Sequence, residues 1–325
     1  KFAPDPAWGD KSAIGGAIGN NSTGSHSLKY GKTDAYVEEV EAVLADGTVV
    51  ELGEIAVETL RERADADADD LLPRIHAEVV RIVDEEDDEV RERYPRLKRN
   101  VSGYNLDTLV DEAETGTVNL ARLLAGSEGT LAIVTEATVS LESVPETKSI
   151  ALLTYDDLLD AMEDVEPILE HDPAAVELID DVLLDLARET SEFRDVVGML
   201  PAGTNSVLLV EFYAEDGADG RQKVADLVAD RVAGAETEVD PAVGSRTHTE
   251  KARYAKAAME AHDDETRAQF WKMRKSGLPI LLGRTSDAKH IAYIEDIAIP
   301  AENLPAYVEE FQRMLDDHDT FASYY

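Results

Sequence analysis

Residues 12–33 read SAIGGAIGNNSTGSHSLKYGKT, with Gly15, Gly16, Gly19 and Gly24 set among small hydroxyl and amide residues. Glycine has no Cβ, so the backbone can approach a ligand closely, and successive N–H groups in such a loop form an anion-binding concavity. The spacing fits neither common phosphate motif. A dinucleotide fingerprint needs Gly-x-Gly-x-x-Gly, whereas Gly15 and Gly16 are adjacent and Ala17 follows. A P-loop needs glycine five residues before the Gly-Lys-Thr at Gly31, and His26 stands there. Two readings remain: a loop that cradles a phosphate or pyrophosphate in its own geometry, or a tight glycine-rich turn with no ligand.

Downstream of this loop, residues 35–52 read as strand, turn, strand, with Val37, Val40 and Val43 before Asp46-Gly47 and Val49-Val50 after it. From residue 55 to about 93 the apolar period becomes helical, placing Leu71, Ile75, Val79, Ile82 and Val83 on one stripe. The acidic link at residues 65–70 reads as a solvated turn, because it lacks the central glycine and oxygen spacing of a calcium loop. Residues 119–124 read as helix, Ser127-Glu128-Gly129 as a turn, and residues 131–141 as a strand. Pro145 marks the next boundary.

Beyond it the expected order is strand 150–153, helix 158–170, strand 176–178, a helix, strand 207–213 and helix 220–232. One long helix then runs from 248 to 275, before a strand at 290–293 and a helix at 304–316. Strands separated by amphipathic helices predict an α+β fold, with a sheet covered by helices on one face. Two domains are expected to meet near Val144: residues 1–144, with a helical insertion near 55–115, and residues 145–325.

Asp and Glu outnumber Lys and Arg 69 to 31, a formal charge of −38, while 43% of residues remain hydrophobic. That is enough apolar content for a core, and the periodic runs argue against disorder. The acid excess is spread along the chain and Arg outnumbers Lys. This pattern suits a protein soluble in concentrated salt, where self-repulsion is screened, and it predicts a halophilic source. It argues against nucleic-acid binding, which needs clustered cations. No apolar run approaches the ~20 residues of a membrane span. With no cysteine, disulfides, thiolate zinc sites and iron–sulfur ligation are excluded within these residues. A cytoplasmic setting is expected, with peripheral attachment at the inner membrane face left open.

Four segments carry a resemblance. They are Phe2-Ala-Pro4-Asp-Pro6 with the glycine-rich loop, NLARLLAGSEGTLAIVTEAT at 119–138, WKMRKSGLP at 271–279 and IEDIAIP at 294–300. Together they resemble the FAD-linked oxidases of the vanillyl-alcohol oxidase type, within them the D-lactate dehydrogenases and the flavin subunit of glycolate oxidase. The resemblance implies part of an FAD-binding domain followed by an α+β substrate domain with an antiparallel sheet. It further implies that the chain is the central part of a longer protein, with another pyrophosphate loop upstream and a Gly-His segment carrying catalytic or metal-binding histidines downstream. Contacts to FAD are expected at Pro4, Ile14, Gly15, Gly16, Asn20, Asn21, Ser22, Thr23, Gly24 and Ser25. Glu128, Gly129, Ile133 and Val134 are expected near the adenine half. Asn and Ser donors suit flavin carbonyls and N5, and glycines let the backbone reach pyrophosphate.

The Trp-x-x-Arg match makes Arg274 the expected partner of a substrate carboxylate, since guanidinium pairs bidentately with carboxylate and Trp271 and Met273 can keep the site dry. Arg267 shares its helix face and is the second choice. His26 reads as a packing residue. His248 and His290 have no partner at metal spacing, so no metal site is expected within the chain. Glu295 and Asp296 point to opposite faces of a predicted strand, and Ile294 replaces a lysine found in some relatives. The leading function is FAD-dependent oxidation of a D-2-hydroxy acid, lactate- or glycolate-like, with electrons passed to an iron–sulfur partner or domain. The alternatives are a non-catalytic flavin or electron-transfer scaffold and another oxidase or synthase on the same fold.

Overall fold

A computed structural model describes residues 1–5, 11–189, 197–233, 253–277 and 297–324. Two short helices come first, α1 (Ile14–Gly19) and α2 (Ser27–Tyr30). The Asp46-Gly47 turn then closes a hairpin of β1 (Val37–Val43) and β2 (Val49–Leu52), with Val40 opposite Leu52 and Val43 opposite Val49. Asp46 accepts the Thr48 N–H at 2.9 Å, and Gly47 takes φ 86° where a side chain would be strained. β5 (Ile133–Val139) adds antiparallel to the other edge of β1, giving the order β2-β1-β5. Val37, Val40 and Ala42 face inward while Glu38, Glu39 and Glu41 face water, so the alternation of β1 fixes its register.

Between β1–β2 and β5 the chain makes a helical excursion. It leaves through β3 (Glu54–Ala56) and returns through β4 (Thr117–Asn119), which pair antiparallel. The helical stretch expected as one period is three helices: α3 (Val57–Arg63), α4 (Leu71–Glu85) and α5 (Asp87–Arg93), followed by α6 (Leu106–Ala113). A single turn, α7 (Leu120–Leu123), follows β4, capped by Asn119, whose side chain accepts the Ala121 N–H at 2.9 Å. Val79 of the predicted stripe is buried, and Leu71, Ile75, Ile82 and Val83 pack on the same core as Ile18, Val40, Leu60 and Leu109. The link at 65–70 is mostly exposed.

Contacts divide the chain into two compact units, Lys1–Val144 with Asp296–Ala298, and Pro145–Glu295 with Ile299–Tyr325. The second is built on a four-stranded antiparallel sheet of order β7-β8-β6-β9. Its strands are β6 (Thr147–Tyr155), β7 (Ala175–Ile179), β8 (Ser206–Ala214) and β9 (Ala257–Ala261). Helices cover both faces of this sheet, not one as expected. Ile150, Leu152, Val207 and Leu209 pack against α9 (Asp181–Glu189) and the helix Asp264–Lys275. Ala151, Leu153, Tyr155, Leu208 and Phe212 pack against α8 (Leu158–Leu169) and the helices Gly217–Arg231 and Leu304–Asp317. Both parities of β6 and β8 are apolar because both sides are buried.

The long helix expected from 248 to 275 is also corrected. Ala257–Ala261 is an edge strand on β6, and the helix starts after Asp263, whose carboxylate accepts the Thr266 N–H at 2.9 Å. Pairing to β6 overrides the helical preference of an Ala-rich segment. The strand expected at 290–293 lies outside the described residues. No helix among the described residues is long and apolar enough to cross a membrane.

Candidate functional site

The glycine-rich segment begins with α1, whose Ala17 and Ile18 are buried while Ile14, Gly15 and Gly16 are exposed. Its glycines serve two purposes. A Cβ at Gly15, Gly16 or Gly19 would have no protein atom within 4 Å, so the fold does not require glycine there. A Cβ at Gly24 would sit 2.0 Å from the Pro4 carbonyl oxygen and 2.6 Å from that of Asp5, so the fold does require it there.

Residues 126–130 close onto the end of this helix. The Gly126 N–H donates to the Ile18 carbonyl at 2.9 Å and the Glu128 N–H to the Gly19 carbonyl at 2.8 Å. Two non-glycine residues at this junction hold left-handed torsions, Asn21 at φ 48° and Glu128 at φ 49°. Such torsions cost about 1–3 kcal/mol for most residues, and persist where surrounding bonds enforce them. Beside the turn, Ile14, Leu131 and Ile133 are exposed apolar side chains, Ile133 to 68%.

A third segment, residues 96–105, joins these two. The Arg99 guanidinium donates to Thr23 Oγ1 at 3.0 Å, Lys98 Nζ donates to the Leu28 carbonyl, and Lys32 Nζ donates to the Asn100 carbonyl at 3.0 Å. Beneath them lies a buried polar knot. Asn21 Oδ1 accepts the Asp34 N–H at 2.9 Å, and Asp34 Oδ2 accepts Asn105 Nδ2 at 2.8 Å with Lys32 Nζ at 3.2 Å. Asn105 Nδ2 also reaches the Arg122 carbonyl, and Tyr104 Oη lies 3.0 Å from Thr130 Oγ1. Sequence reasoning misses this segment. Its one signal is the basic run RLKRN at 96–100 in a strongly acidic chain.

The structure thus brings residues 14–25 and 128–129 together. Within the first group Asn20 is exposed, its Nδ2 3.3 Å from Ser22 Oγ, whereas Asn21 is buried and spends its carbonyl oxygen on the Asp34 backbone. The Ser22 carbonyl accepts both the N–H and hydroxyl of Thr33, and Pro4 is buried under Gly24. Ile133 and Val134 start β5, where Val134 pairs with Ala42 of the core sheet. His26 is buried with Nδ1 2.7 Å from Asp5 Oδ2, a packing position.

In the second unit Arg274 lies on the helix Asp264–Lys275 with Nη2 2.7 Å from Glu177 Oε2 of β7, both side chains largely buried. Trp271 donates its indole N–H to Glu211 Oε2 at 2.7 Å, and Lys148 Nζ stands 3.6 Å from Glu211 Oε1. Met273 points into the apolar core rather than toward a site. Arg267 donates to the His262 carbonyl at 2.6 Å and pairs with Asp264, tying the helix start. His248, His290, Ile294, Glu295 and Asp296 lie outside the described residues. No metal-binding cluster occurs among the described residues.

FAD needs bare backbone for its phosphates, polar donors for its ring edge and apolar surface for its ring systems. Gly15, Gly16 and Gly19 meet the first need, Asn20 and Ser25 the second, and Ile14, Leu131 and Ile133 the third. The residues fit the cofactor. Residues 1–53 match the FAD binding domain family, and residues 144–325 match the FAD linked oxidases, C-terminal domain. The chain is similar to D-2-hydroxyglutarate dehydrogenases of Pantoea ananatis and Escherichia coli, 27% and 28% identical over 98% of this chain and 30% of theirs. It is also similar to glycolate oxidase subunit GlcD of Bacillus subtilis, 31% identical over 65% of this chain and 32% of that protein. The chain therefore spans about a third of the length of these relatives. Since the oxidase match alone extends over more than half of its residues, the chain belongs to the FAD-linked oxidases.

Proposed function

We propose that this protein oxidises a D-2-hydroxy acid at C2 with FAD as hydride acceptor, and that D-2-hydroxyglutarate is the first substrate to test, ahead of lactate and glycolate. The observation that carries the reading is similarity along 98% of the chain to dehydrogenases named for that acid. When bound, FAD supplies the hydride-accepting ring. The chain's own part is binding and orientation. Residues 14–25 and 128–134 hold the cofactor, with bare backbone at Gly15 and Gly16 and donors at Asn20, Ser22, Thr23 and Ser25. Arg274 binds the substrate carboxylate, and Glu177 keeps its guanidinium in one orientation. His26 is paired with Asp5, His171 with Asp230 and His262 with Ser149 and Glu260, and none of these is assigned the hydroxyl proton. Electrons leave for an iron–sulfur domain or partner.

The test is anaerobic mixing of the flavin-loaded protein with each acid. Bleaching by D-2-hydroxyglutarate is expected; a flavin left oxidised by all three acids favours the non-catalytic scaffold instead. Arg274→Lys keeps the charge but loses the planar fork, and lowers kcat/KM by about tenfold or more, the worth of one charge-assisted hydrogen bond. Normal kinetics in that variant move carboxylate binding elsewhere, with Arg267 next. The charge of −38 further supports a halophilic protein, whose melting temperature rises from dilute buffer to molar KCl as repulsion is screened.

A further inference from the structure

We propose, on the reading that FAD is the cofactor, that residues 96–105 clasp the glycine-rich segment and that Arg99, with Lys98, supplies the positive charge that offsets the negative charge of the bound cofactor. Two cations of this part of the fold meet the segment 21–32 through neutral oxygens, Arg99 on Thr23 and Lys98 on Leu28, whereas Lys32, which donates to the Asn100 carbonyl, is matched by Asp34 at 3.2 Å. Arg96, in the same run, is instead matched by Asp111 at 2.8 Å, and Arg91 by Asp87 and Asp111 at 2.8 and 2.7 Å. In a chain with 69 acids, a guanidinium that hydrogen-bonds a threonine of the cofactor segment keeps its charge for a ligand.

The base of the clasp is rigid. Asp34, 5% exposed, holds Asn105, Lys32 and the backbone of Ala35, while Asn21 binds the Asp34 N–H. The knot fixes residues 100–105 against Asn21, whose left-handed torsion sets the loop's course. Arg99 and Lys98 extend from this anchored base and are exposed on the side of Thr23. A charge held this way loses less side-chain entropy on binding than a free surface arginine would.

The experiment measures FAD and riboflavin affinity by flavin fluorescence in the complete protein, together with the midpoint potential of the bound flavin. Arg99→Gln is expected to weaken FAD binding by about tenfold. Arg99→Lys should retain most of the affinity, and the loss in Arg99→Gln should shrink in molar KCl. Weakened FAD with unchanged riboflavin assigns the charge to the pyrophosphate. Weakening of both with a lowered midpoint potential assigns it to the reduced ring. Both outcomes support the proposal. Wild-type FAD affinity in Arg99→Gln overturns it, as does equal loss of both flavins at an unchanged potential, which marks a merely structural loop. If Arg99→Gln does not fold, Arg99→Lys and Lys98→Gln carry the same comparison. A wild-type protein that takes up no FAD overturns the cofactor reading itself and is thereby told apart from failure of the clasp.

Discussion

In the first unit Arg99 and Lys98 rest on a threonine hydroxyl and a backbone carbonyl, while in the second Arg231 rests on Asp164 and Lys148 on Glu211. The Arg231–Asp164 pair is fully buried, and Tyr155 Oη donates to the other Asp164 oxygen at 2.8 Å. Burial pushes the Asp164 carboxyl above its ordinary value, and the guanidinium and phenol only partly oppose that. A fully buried cation closed by a carboxylate, as in Arg231–Asp164, contributes to one packed arrangement of the core. One left on neutral oxygens keeps a field that a ligand can use. The contrast separates framework from site more cleanly than composition, since both units are acidic.

The largest effect is expected from opening the closed pair. Arg231→Met leaves Asp164 buried without its cation, and about 3–5 kcal/mol of unfolding free energy should be lost. Replacing both partners, Arg231→Met with Asp164→Leu, should recover most of it, because the desolvation cost of both charges disappears. Urea titrations of the single and double variants check this. A single variant within about 1 kcal/mol of wild type would mean that the pair is not closed in solution.

Glycines sharpen the comparison inside the first unit. Gly24→Ala drives a Cβ into the Pro4 and Asp5 carbonyls, and should cost about 1–3 kcal/mol by overpacking. Gly16→Val projects into open space and should leave the melting temperature nearly unchanged while emptying the flavin site. Flavin absorbance and melting curves of the two variants should therefore move in opposite patterns. If Gly16→Val keeps its flavin, the cofactor does not lie against α1.

Local chemistry makes much of this fold legible in the amino-acid sequence. The Asp46-Gly47 turn and the glycine run are decided by neighbours along the chain, and the β6 and β8 runs are apolar enough to announce strands. Their coverage on both faces, against the one expected, follows from Ile150-Ala-Leu-Leu153, where neither parity is polar. The failures are long-range. Ala257–Ala261 has the composition of a helix, and only the free edge of β6 makes it a strand. The 96–105 clasp depends on Asn105 meeting Asp34 and Arg99 meeting Thr23 across a helical excursion, and no periodicity encodes that meeting. Arg274 is legible as a cation, but not Glu177 as the carboxylate that holds it.

The smallest effect concerns two aspartates whose pKa values move in opposite directions. In the first unit Asp111 is held below its ordinary value by hydrogen bonds from Arg96 and Arg91, with burial opposing them. In the second, Asp180 is raised, chiefly by burial, although it accepts the Leu183 N–H at 2.9 Å, the Ser323 hydroxyl at 3.0 Å and the Tyr324 N–H at 2.6 Å. For Asp111 the folded pKa lies below the unfolded one, so its contribution is present above the unfolded value and lost as pH falls through the folded one. For Asp180 the order is reversed: the folded state keeps its proton longer, so its contribution is full below about pH 3.9 and is lost as pH rises through the raised value. Asp111 is nearly half exposed, so screening reduces its share. Asp180→Asn should therefore remove a downward slope of stability with rising pH on the acid side of neutrality, and Asp111→Asn an upward one. Urea midpoints of both variants and wild type, taken between about pH 3.5 and 7, give the two slopes by difference. Slopes of the same sign would mean that burial does not dominate at Asp180, and that the C-terminal residues Ser323 and Tyr324 hold its carboxylate ionised.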